Sequence, residues 1–245
     1  MTIVGQLSEN LAAVQAQIDR ACADAGRDPA EVRLLPVSKT HPPELIMEAY
    51  DAGLRLFGEN KPQELAAKAE QLRDVADLRF AAIGHLQTNK AKLITDWASE
   101  FHALDSIKVA EALDRRLQQA GRGLDVFVQV NSSGEEQKFG LPPEEVESFV
   151  TSLSAYPSLR VRGLMTLAIF SDDQERVGRC FALMRDLRER LRDSGTAAGS
   201  YDELSMGMSG DLEQAIAYGA TTVRIGRAIF GSRLEPNDYW PGAGR

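Results

Sequence analysis

The stretch Leu34-Leu35-Pro36-Val37-Ser38-Lys39-Thr40-His41-Pro42-Pro43 decides how the rest of the chain is interpreted. Its first half is a short apolar run that suits a strand buried on both faces, and the two prolines at its end take the chain out of extended pairing. This pattern places Lys39 at the carboxyl end of a buried strand. Burial disfavours a charged amine, and a neutral lysine amine is a nucleophile for carbonyl groups. A lysine whose ammonium group simply reaches the surface from a strand end is the alternative.

The composition is typical of a soluble globular protein. Of the 245 residues, 43% are hydrophobic and 26% charged, and 28 basic against 36 acidic residues give a net charge of -8. We expect no nucleic-acid or membrane partner, because the chain is acidic and has no basic run. Cys22 and Cys180 are interpreted as buried or idle thiols of a reducing compartment. Residues 1–10 lack a secretory pattern and no apolar run reaches spanning length, so we expect a cytoplasmic protein.

Strand and helix patterns alternate along the chain. An extra helix, capped by Ser8 and ended by Gly26, precedes the first strand. The later predicted strands are residues 54–60, 79–83, 101–105, 124–131, 161–167, 204–208 and 222–226. The predicted helices are residues 43–52, 62–75, 107–120, 143–155, 173–193 and 211–218, with another beginning at Thr88 and a closing segment at 228–233.

This alternation predicts an α/β fold, a single (β/α)8 TIM barrel that forms one domain over residues 1–245. Residues 1–30 would hold the extra amino-terminal helix and residues 234–245 a tail. A doubly wound open sheet is the rival fold. It is disfavoured because no Gly-rich dinucleotide fingerprint follows the first strand.

Polar residues close the predicted strands. Active sites of barrels lie at the carboxyl ends of the strands, so these side chains would face one mouth. They are Lys39, Asn60, His85, Asp105, Asn131, Thr166, Ser209 and Arg224. Since loops are polar for structural reasons too, the set carries more weight than any one member.

Residues 205–211 and 224–227 predict a phosphate site. Gly207 and Gly210 allow close backbone approach, and a helix that begins at Asp211 presents free amides. Glycines after the seventh and eighth strands form the usual phosphate cradle of this fold. Ordinary turn chemistry at two helix starts is the alternative. A phosphate site and a lysine at one mouth indicate either pyridoxal 5′-phosphate (PLP) or a sugar phosphate.

Several motifs run through the chain in order: Val37-Ser38-Lys39-Thr40, Phe57-Gly58-Glu59-Asn60 with Gln63-Glu64, Ile83-Gly84-His85-Leu86-Gln87-Thr88-Asn89-Lys90, Leu164-Met165-Thr166, Leu204-Ser205-Met206-Gly207-Met208-Ser209, and Val223-Arg224-Ile225-Gly226-Arg227-Ala228-Ile229-Phe230-Gly231. Jointly they are highly specific, and they resemble the pyridoxal phosphate homeostasis protein family. The resemblance implies a fold-type III barrel, similar to the amino-terminal domain of alanine racemase, that carries PLP as a Schiff base on Lys39. It also implies a role in intracellular PLP supply rather than a known reaction.

The resemblance further implies roles for individual residues. Arg224 would face the pyridine nitrogen, and Asn60 would lie near the ring. The phosphate would be held by Ser205, Ser209 and the backbone of Gly226 and Arg227. The chain departs from the family at Phe80-Ala81-Ala82, where the family has an aromatic residue, a histidine and another large residue. No role for that histidine is carried over.

The expected chemistry favours a carrier over a catalyst. A guanidinium against the ring nitrogen keeps the pyridine unprotonated and makes it a weaker electron sink. Racemases of this fold use a second base, which the resemblance identifies as a tyrosine from an added β-domain and a partner subunit. No tyrosine here falls at a strand end: they are Tyr50, Tyr156, Tyr201 and Tyr218 on helices or loops, and Tyr239 in the tail.

We therefore expect a monomeric, non-enzymatic protein that binds PLP and hands it to apo-enzymes. The alternative is a weak PLP-dependent amino-acid racemase or a Schiff-base sugar-phosphate aldolase. The polar loop at residues 132–140 contains Lys138, which would contact an anion at the mouth or remain a solvated surface lysine.

Overall fold

The computed structural model describes residues 3–195 and 199–232. Parallel strands alternate with helices along this part of the chain. The strands are β1 Arg33–Pro36, β2 Leu56–Glu59, β3 Arg79–Ala82, β4 Ala98–Leu104, β5 Leu124–Gln129, β6 Leu159–Met165, β7 Glu203–Ser205 and β8 Thr222–Ile225. The helices are α1 Ile3–Asp24, α2 Pro43–Asp51, α3 Pro62–Gln71, α4 Ala91–Trp97, α5 Ile107–Ala120, α6 Val146–Ser152, α7 Gln174–Ser194, α8 Leu212–Ala217 and α9 Arg227–Phe230.

The sheet closes into a barrel. Its strands are paired in the order β1-β8-β7-β6-β5-β4-β3-β2, all parallel. A parallel bridge between Val37 and Gly58 joins β1 to β2, and the amide of Ser38 donates to the Gly58 carbonyl at 3.0 Å. On the other side, the amide of Val37 donates to the carbonyl of Ile225 at 2.8 Å. The predicted (β/α)8 barrel is confirmed, because each of the eight strands has a neighbour on both sides, whereas an open sheet ends in two edge strands.

Helix α1 is the predicted extra helix, but its start differs from the prediction. It begins at Ile3, so Ser8 lies inside the helix and does not cap it. The reason is packing: Leu7 is buried together with Val14 and Ile18, which extends the apolar face of the helix beyond Ser8. This face packs against α8 and α9.

The seventh strand is shorter than predicted. It ends at Ser205, because Gly207 turns the backbone with φ +96° and a Cβ there would lie 2.7 Å from the Cβ of Ala215. Met208 and Ser209 are therefore exposed loop residues at the mouth of the barrel. Helix α5 begins and ends where residues 107–120 were predicted to form a helix.

Cys22 and Cys180 are both free and buried. Among the described residues, no helix is long and apolar enough to span a membrane. The predicted tail at residues 234–245 lies outside the described residues.

Candidate functional site

The carboxyl ends of the strands open into a cavity of about 640 Å³. This volume is typical of sites for small ligands. The predicted site residues that border it are Lys39, Asn60, Ser209, Arg224, Gly226 and Arg227. The topology thus brings residues from the first, second, seventh and eighth strand ends to one mouth, as the barrel prediction required.

Lys39 follows β1 in a tightly held turn. The residue is half-buried and borders the cavity. It lies between Ser38, which is fully buried, and Thr40, which is half-buried. Thr40 has φ +66°, a left-handed conformation that is unusual for a β-branched residue. The turn therefore depends on contacts from its surroundings.

Asn60 and Gly226 lie on loops that need close backbone approach. A Cβ at Gly84 would lie 2.0 Å from the carbonyl oxygen of Asn60, so only glycine lets the loops after β2 and β3 pack together. A Cβ at Gly226 would lie 3.2 Å from the carbonyl oxygen of Val37. The end of β8 thus passes close to the segment that carries Lys39.

Arg224 is a buried cation at the floor of the cavity. Only 4% of the residue is exposed. Its Nη1 donates to Ser205 Oγ at 2.9 Å and its Nη2 to the Thr166 carbonyl at 2.8 Å. Burial lowers the pKa of Arg224 to about 10, so the side chain still carries its charge at neutral pH. These two contacts fix the plane of the guanidinium.

Ser205 lies inside the barrel and does not border the cavity. It is fully buried, and its Oγ contacts both Arg224 Nη1 and His102 Nδ1, each at 2.9 Å. The phosphate contact predicted for Ser205 stays a prediction. In the structure the hydroxyl instead links Arg224 to His102.

His102 is a functional candidate that the sequence analysis missed. It is fully buried on β4, and burial lowers its pKa, so the ring is neutral at pH 7. Nε2 lies 2.8 Å from Glu100 Oε2, and a carboxylate can only accept, so Nε2 carries the proton. Nδ1 then accepts from the Ser205 hydroxyl. The chain of hydrogen bonds runs in one direction from Arg224 to Glu100.

Glu100 ends this chain in an ion pair with Arg33. Arg33 Nη1 and Nη2 contact the two carboxylate oxygens at 2.6 and 3.0 Å. Burial alone would raise the pKa of Glu100, but the hydrogen bonds from His102 and Arg33 outweigh burial and lower it to about 2. Two polar residues at positions i and i+2 of a strand share one face, which is the signal that would have found Glu100 and His102.

A second buried network surrounds Lys68 of α3. Lys68 is 1% exposed, and its Nζ contacts Glu59 Oε1 at 2.7 Å and Glu64 Oε1 at 2.8 Å. Burial raises the pKa of Glu59 to about 7 against the opposing effect of Lys68. The helix predicted at residues 62–75 was not expected to contain a buried charge. The i, i+4 spacing of Glu64 and Lys68 is the signal that was available.

The remaining polar strand ends do not border the cavity. His85 Nδ1 lies 3.3 Å from Asp105 Oδ2, and the His85 ring stacks on Phe139 with centroids 4.0 Å apart. Asn131 donates to the Glu135 carbonyl at 2.9 Å, and the Thr166 hydroxyl donates to the Val130 carbonyl at 2.8 Å. These side chains organise the loops around the mouth.

Lys138 borders the cavity and forms an ion pair with Glu135. Its Nζ donates to the Ala168 carbonyl at 3.0 Å and lies 2.5 Å from Glu135 Oε2. The predicted contact with an anion stays a prediction. The rim nearby is apolar, because Phe170 is 100% exposed and Leu167 and Met208 are also exposed.

The departure at Phe80-Ala81-Ala82 is accommodated by apolar packing. Ala81 is fully buried and lies in a small cluster with Leu35 and Leu56, against Ile83. In the sheet it is the partner of Glu100. The small side chain at this position therefore belongs to the core beneath the mouth.

The chain is similar to known proteins over nearly its whole length. Residues 10–234 match the family model "Alanine racemase, N-terminal domain". A "Pyridoxal phosphate homeostasis protein" of Pseudomonas aeruginosa is 44% identical over 227 residues, which are 93% of this chain and 96% of that protein. The structure of PipY from Synechococcus elongatus with PLP bound has a TM-score of 0.81 at 35% identity and covers 92% of this chain and 100% of that one.

An alanine racemase of Clostridium difficile has a TM-score of 0.72 at 14% identity, which shows the fold alone; the match covers 97% of this chain and 59% of that one. Fold and site together define a barrel of the alanine racemase amino-terminal type. Within this class, the chain belongs to the pyridoxal phosphate homeostasis protein family. The resemblance stated from the motifs is confirmed.

We predict that Glu100→Gln removes part of the acid sensitivity of folding. Because the folded-state pKa of about 2 is below the ordinary 4.5, ionised Glu100 stabilises the fold above about pH 5, and this contribution is lost as the pH falls toward 2. The difference in unfolding free energy between wild type and variant should therefore shrink by on the order of 3 kcal/mol between pH 7 and pH 2.

Chemical denaturation across this pH range measures the effect. Glu111→Gln, which changes an exposed acid of α5, is the control and should alter the unfolding free energy by less than about 0.5 kcal/mol. A Glu100→Gln difference that stays constant with pH would show that Glu100 is not held in its ionised form by Arg33 and His102.

Proposed function

We propose that this protein binds PLP through Lys39 and supplies it to apo-enzymes that depend on it. The observation that carries the proposal is the shared mouth: the amine of Lys39, the cation of Arg224 and the loop residues Ser209, Gly226 and Arg227 border one cavity. The relative PipY, which is 35% identical, has a structure with PLP bound. The family name of the other relatives refers to PLP homeostasis.

The groups around the cavity fit the cofactor. PLP has an aldehyde, an aromatic ring with a basic nitrogen, and a phosphate dianion. Lys39 would take the aldehyde as a Schiff base and Arg224 would face the ring nitrogen. Ser209 is exposed at the mouth, and its hydroxyl would hold the phosphate together with the backbone of Gly226 and Arg227. Hydroxyl groups and free backbone amides at the start of a helix are donors that bind phosphate in proteins.

The fixed charge of Arg224 favours holding the cofactor over using it. When bound, PLP supplies an electron-withdrawing ring, and its strength depends on a protonated ring nitrogen. A guanidinium gives up no proton at neutral pH, and here Thr166 and Ser205 hold it in place. The chain's own residue would therefore keep the ring nitrogen unprotonated.

A second base is the other requirement of a racemase. None of the tyrosines in the described part of the chain borders the cavity. Tyr50 donates to the Ala76 carbonyl at 2.8 Å, and Tyr201 is 1% exposed. A two-base racemase needs both bases within hydrogen-bond reach of the substrate. These placements support the carrier over the racemase.

The first prediction from the proposed function is that Lys39→Ala abolishes covalent attachment of PLP without unfolding the barrel, because Lys39 is half-buried and lies outside the strands. Borohydride reduction followed by peptide mass spectrometry measures the label. Lys108→Ala, which changes an exposed lysine of α5, should label as the wild type does. A main label at another lysine in Lys39→Ala would show that Lys39 is not the attachment site.

The second prediction concerns Arg224→Gln. Glutamine removes the charge and leaves a shorter amide donor, so PLP should bind more weakly by about 1–3 kcal/mol, the usual contribution of a charge-assisted hydrogen bond. A fluorescence titration gives the affinity, with Arg179→Gln on the exposed face of α7 as the control. Equal affinities for wild type and Arg224→Gln would mean that the guanidinium does not contact the ring.

The third prediction is that the protein does not turn over amino acids. Incubation of the PLP-loaded protein with L-alanine in deuterated water should place deuterium on the α-carbon no faster than free PLP does. The same preparation should activate an apo-enzyme that requires PLP. Stoichiometric incorporation within minutes that depends on Lys39 would instead identify a racemase-like enzyme.

A further inference from the structure

We propose that the buried Lys68 cluster, formed by Glu59, Glu64 and Lys68, is a positioning device for the turn that carries Lys39. The inference rests on the proposed function, in which Lys39 is the attachment residue for PLP. In this view the cluster sets the backbone of residues 38–40, and thereby the direction in which the Lys39 amine faces the cavity.

Lys68 uses all three of its donors in this cluster. Its Nζ contacts Glu59 Oε1 at 2.7 Å, Glu64 Oε1 at 2.8 Å and the Ser38 carbonyl oxygen at 2.8 Å. An ammonium group has three N–H bonds, so its capacity is matched by these acceptors. The ammonium therefore ties β2 and α3 directly to the backbone next to Lys39.

The cluster holds the chain on both sides of Lys39. Before it, the Ser38 hydroxyl donates to Glu59 Oε1 at 2.7 Å, in addition to the carbonyl contact with Lys68. After it, the Thr40 amide donates to Glu64 Oε1 at 2.6 Å. Both neighbours of Lys39 are thus fixed by charged groups that have no place in the cavity itself.

Thr40 has a strained backbone conformation, and the contact with Glu64 helps to maintain it. A β-branched residue at φ +66° is a rare conformation that persists only when its surroundings over-determine it. Two contacts hold this conformation: the His41 amide donates to the Ser38 carbonyl at 3.1 Å and closes the turn, and the Thr40 amide donates to Glu64. Without the contact to Glu64, the backbone would relax and the Lys39 side chain would change direction.

The cost of burying charged groups also indicates that the Lys68 cluster does more than stabilise the fold. A buried ion pair is a weak source of stability, since desolvation opposes the attraction, and apolar side chains of similar volume often stabilise as well or better. Joining α3 to the barrel would need no charges. The contacts to the Ser38 carbonyl and the Thr40 amide are what apolar replacements could not provide.

The test compares two substitutions of the same residue. Glu64→Leu removes the acceptor of the Thr40 amide, whereas Glu64→Gln keeps an oxygen in that position and removes only the charge. Glu70→Leu, at an exposed acid of the same helix, is the matched control. The full chain is used without PLP for amide hydrogen exchange, and with added PLP for the rate of borohydride-trapped labelling at Lys39.

For Glu64→Leu we expect at least tenfold faster exchange of the Thr40 amide and at least tenfold slower labelling of Lys39. Glu64→Gln should restore both values to within threefold of wild type, and Glu70→Leu should match the wild type. A purely structural cluster would lower the melting temperature of Glu64→Leu but leave the labelling of the folded protein unchanged. Wild-type exchange and labelling in folded Glu64→Leu would overturn the inference.

If Glu64→Leu does not fold, the double variant Lys68→Met with Glu64→Gln decides. It keeps an acceptor for the Thr40 amide but removes the donor to the Ser38 carbonyl, so labelling should still slow at least threefold; a wild-type rate would overturn the inference. Failure of the proposed function is seen separately. In that case the wild-type protein itself shows no label at Lys39, whatever the exchange of the Thr40 amide.

Discussion

The pairing of β1 with both β8 and β2 is the constraint on which the site depends. In the register of the sheet, Leu35 is opposite Arg224, and Val37 is bridged to Gly58. This register brings the end of β1, with Lys39, next to the buried guanidinium on the adjacent strand. A slip of one residue would turn Arg224 from the interior to the helix layer. The pairing that closes the barrel is therefore also the pairing that places Lys39 next to Arg224.

The interior of this barrel carries charge where apolar layers are common. From Arg33 through Glu100, His102 and Ser205 to Arg224, each group donates to or accepts from the next. Such a network stabilises a single arrangement only when its members are satisfied, because an unpaired buried polar group is costly. Together with the Lys68 cluster, it holds Arg224 and the turn that carries Lys39 from beneath the mouth.

The parts of the molecule that follow a local pattern could be predicted from the sequence. The alternation of strands and helices predicted the barrel, and polar strand ends predicted Lys39 and Arg224 at one mouth. For the buried charges, local spacing shows which of them share a face of their strand or helix, but not that they are buried together. His102 and Ser205 are 103 positions apart and Lys68 and Ser38 are 30 apart, so their burial follows from contacts that no window of sequence contains. Ser8 shows the converse error, in which a good capping residue is overridden by the burial of Leu7.

The packing of α1 bears on how the protein is made. Arg27, in the loop after this helix, donates to the carbonyls of Ile216 and Ala220, which are 189 and 193 positions later in the chain. Long-range pairing of this kind slows folding, and a chain emerging from the ribosome makes its amino-terminal part first. A nascent chain therefore exposes the apolar face of α1 and an unpaired edge of β1 until β8 has been synthesised. The candidate site is accordingly complete only when β8 is in place, and chains truncated before β8 would contain Lys39 but not Arg224.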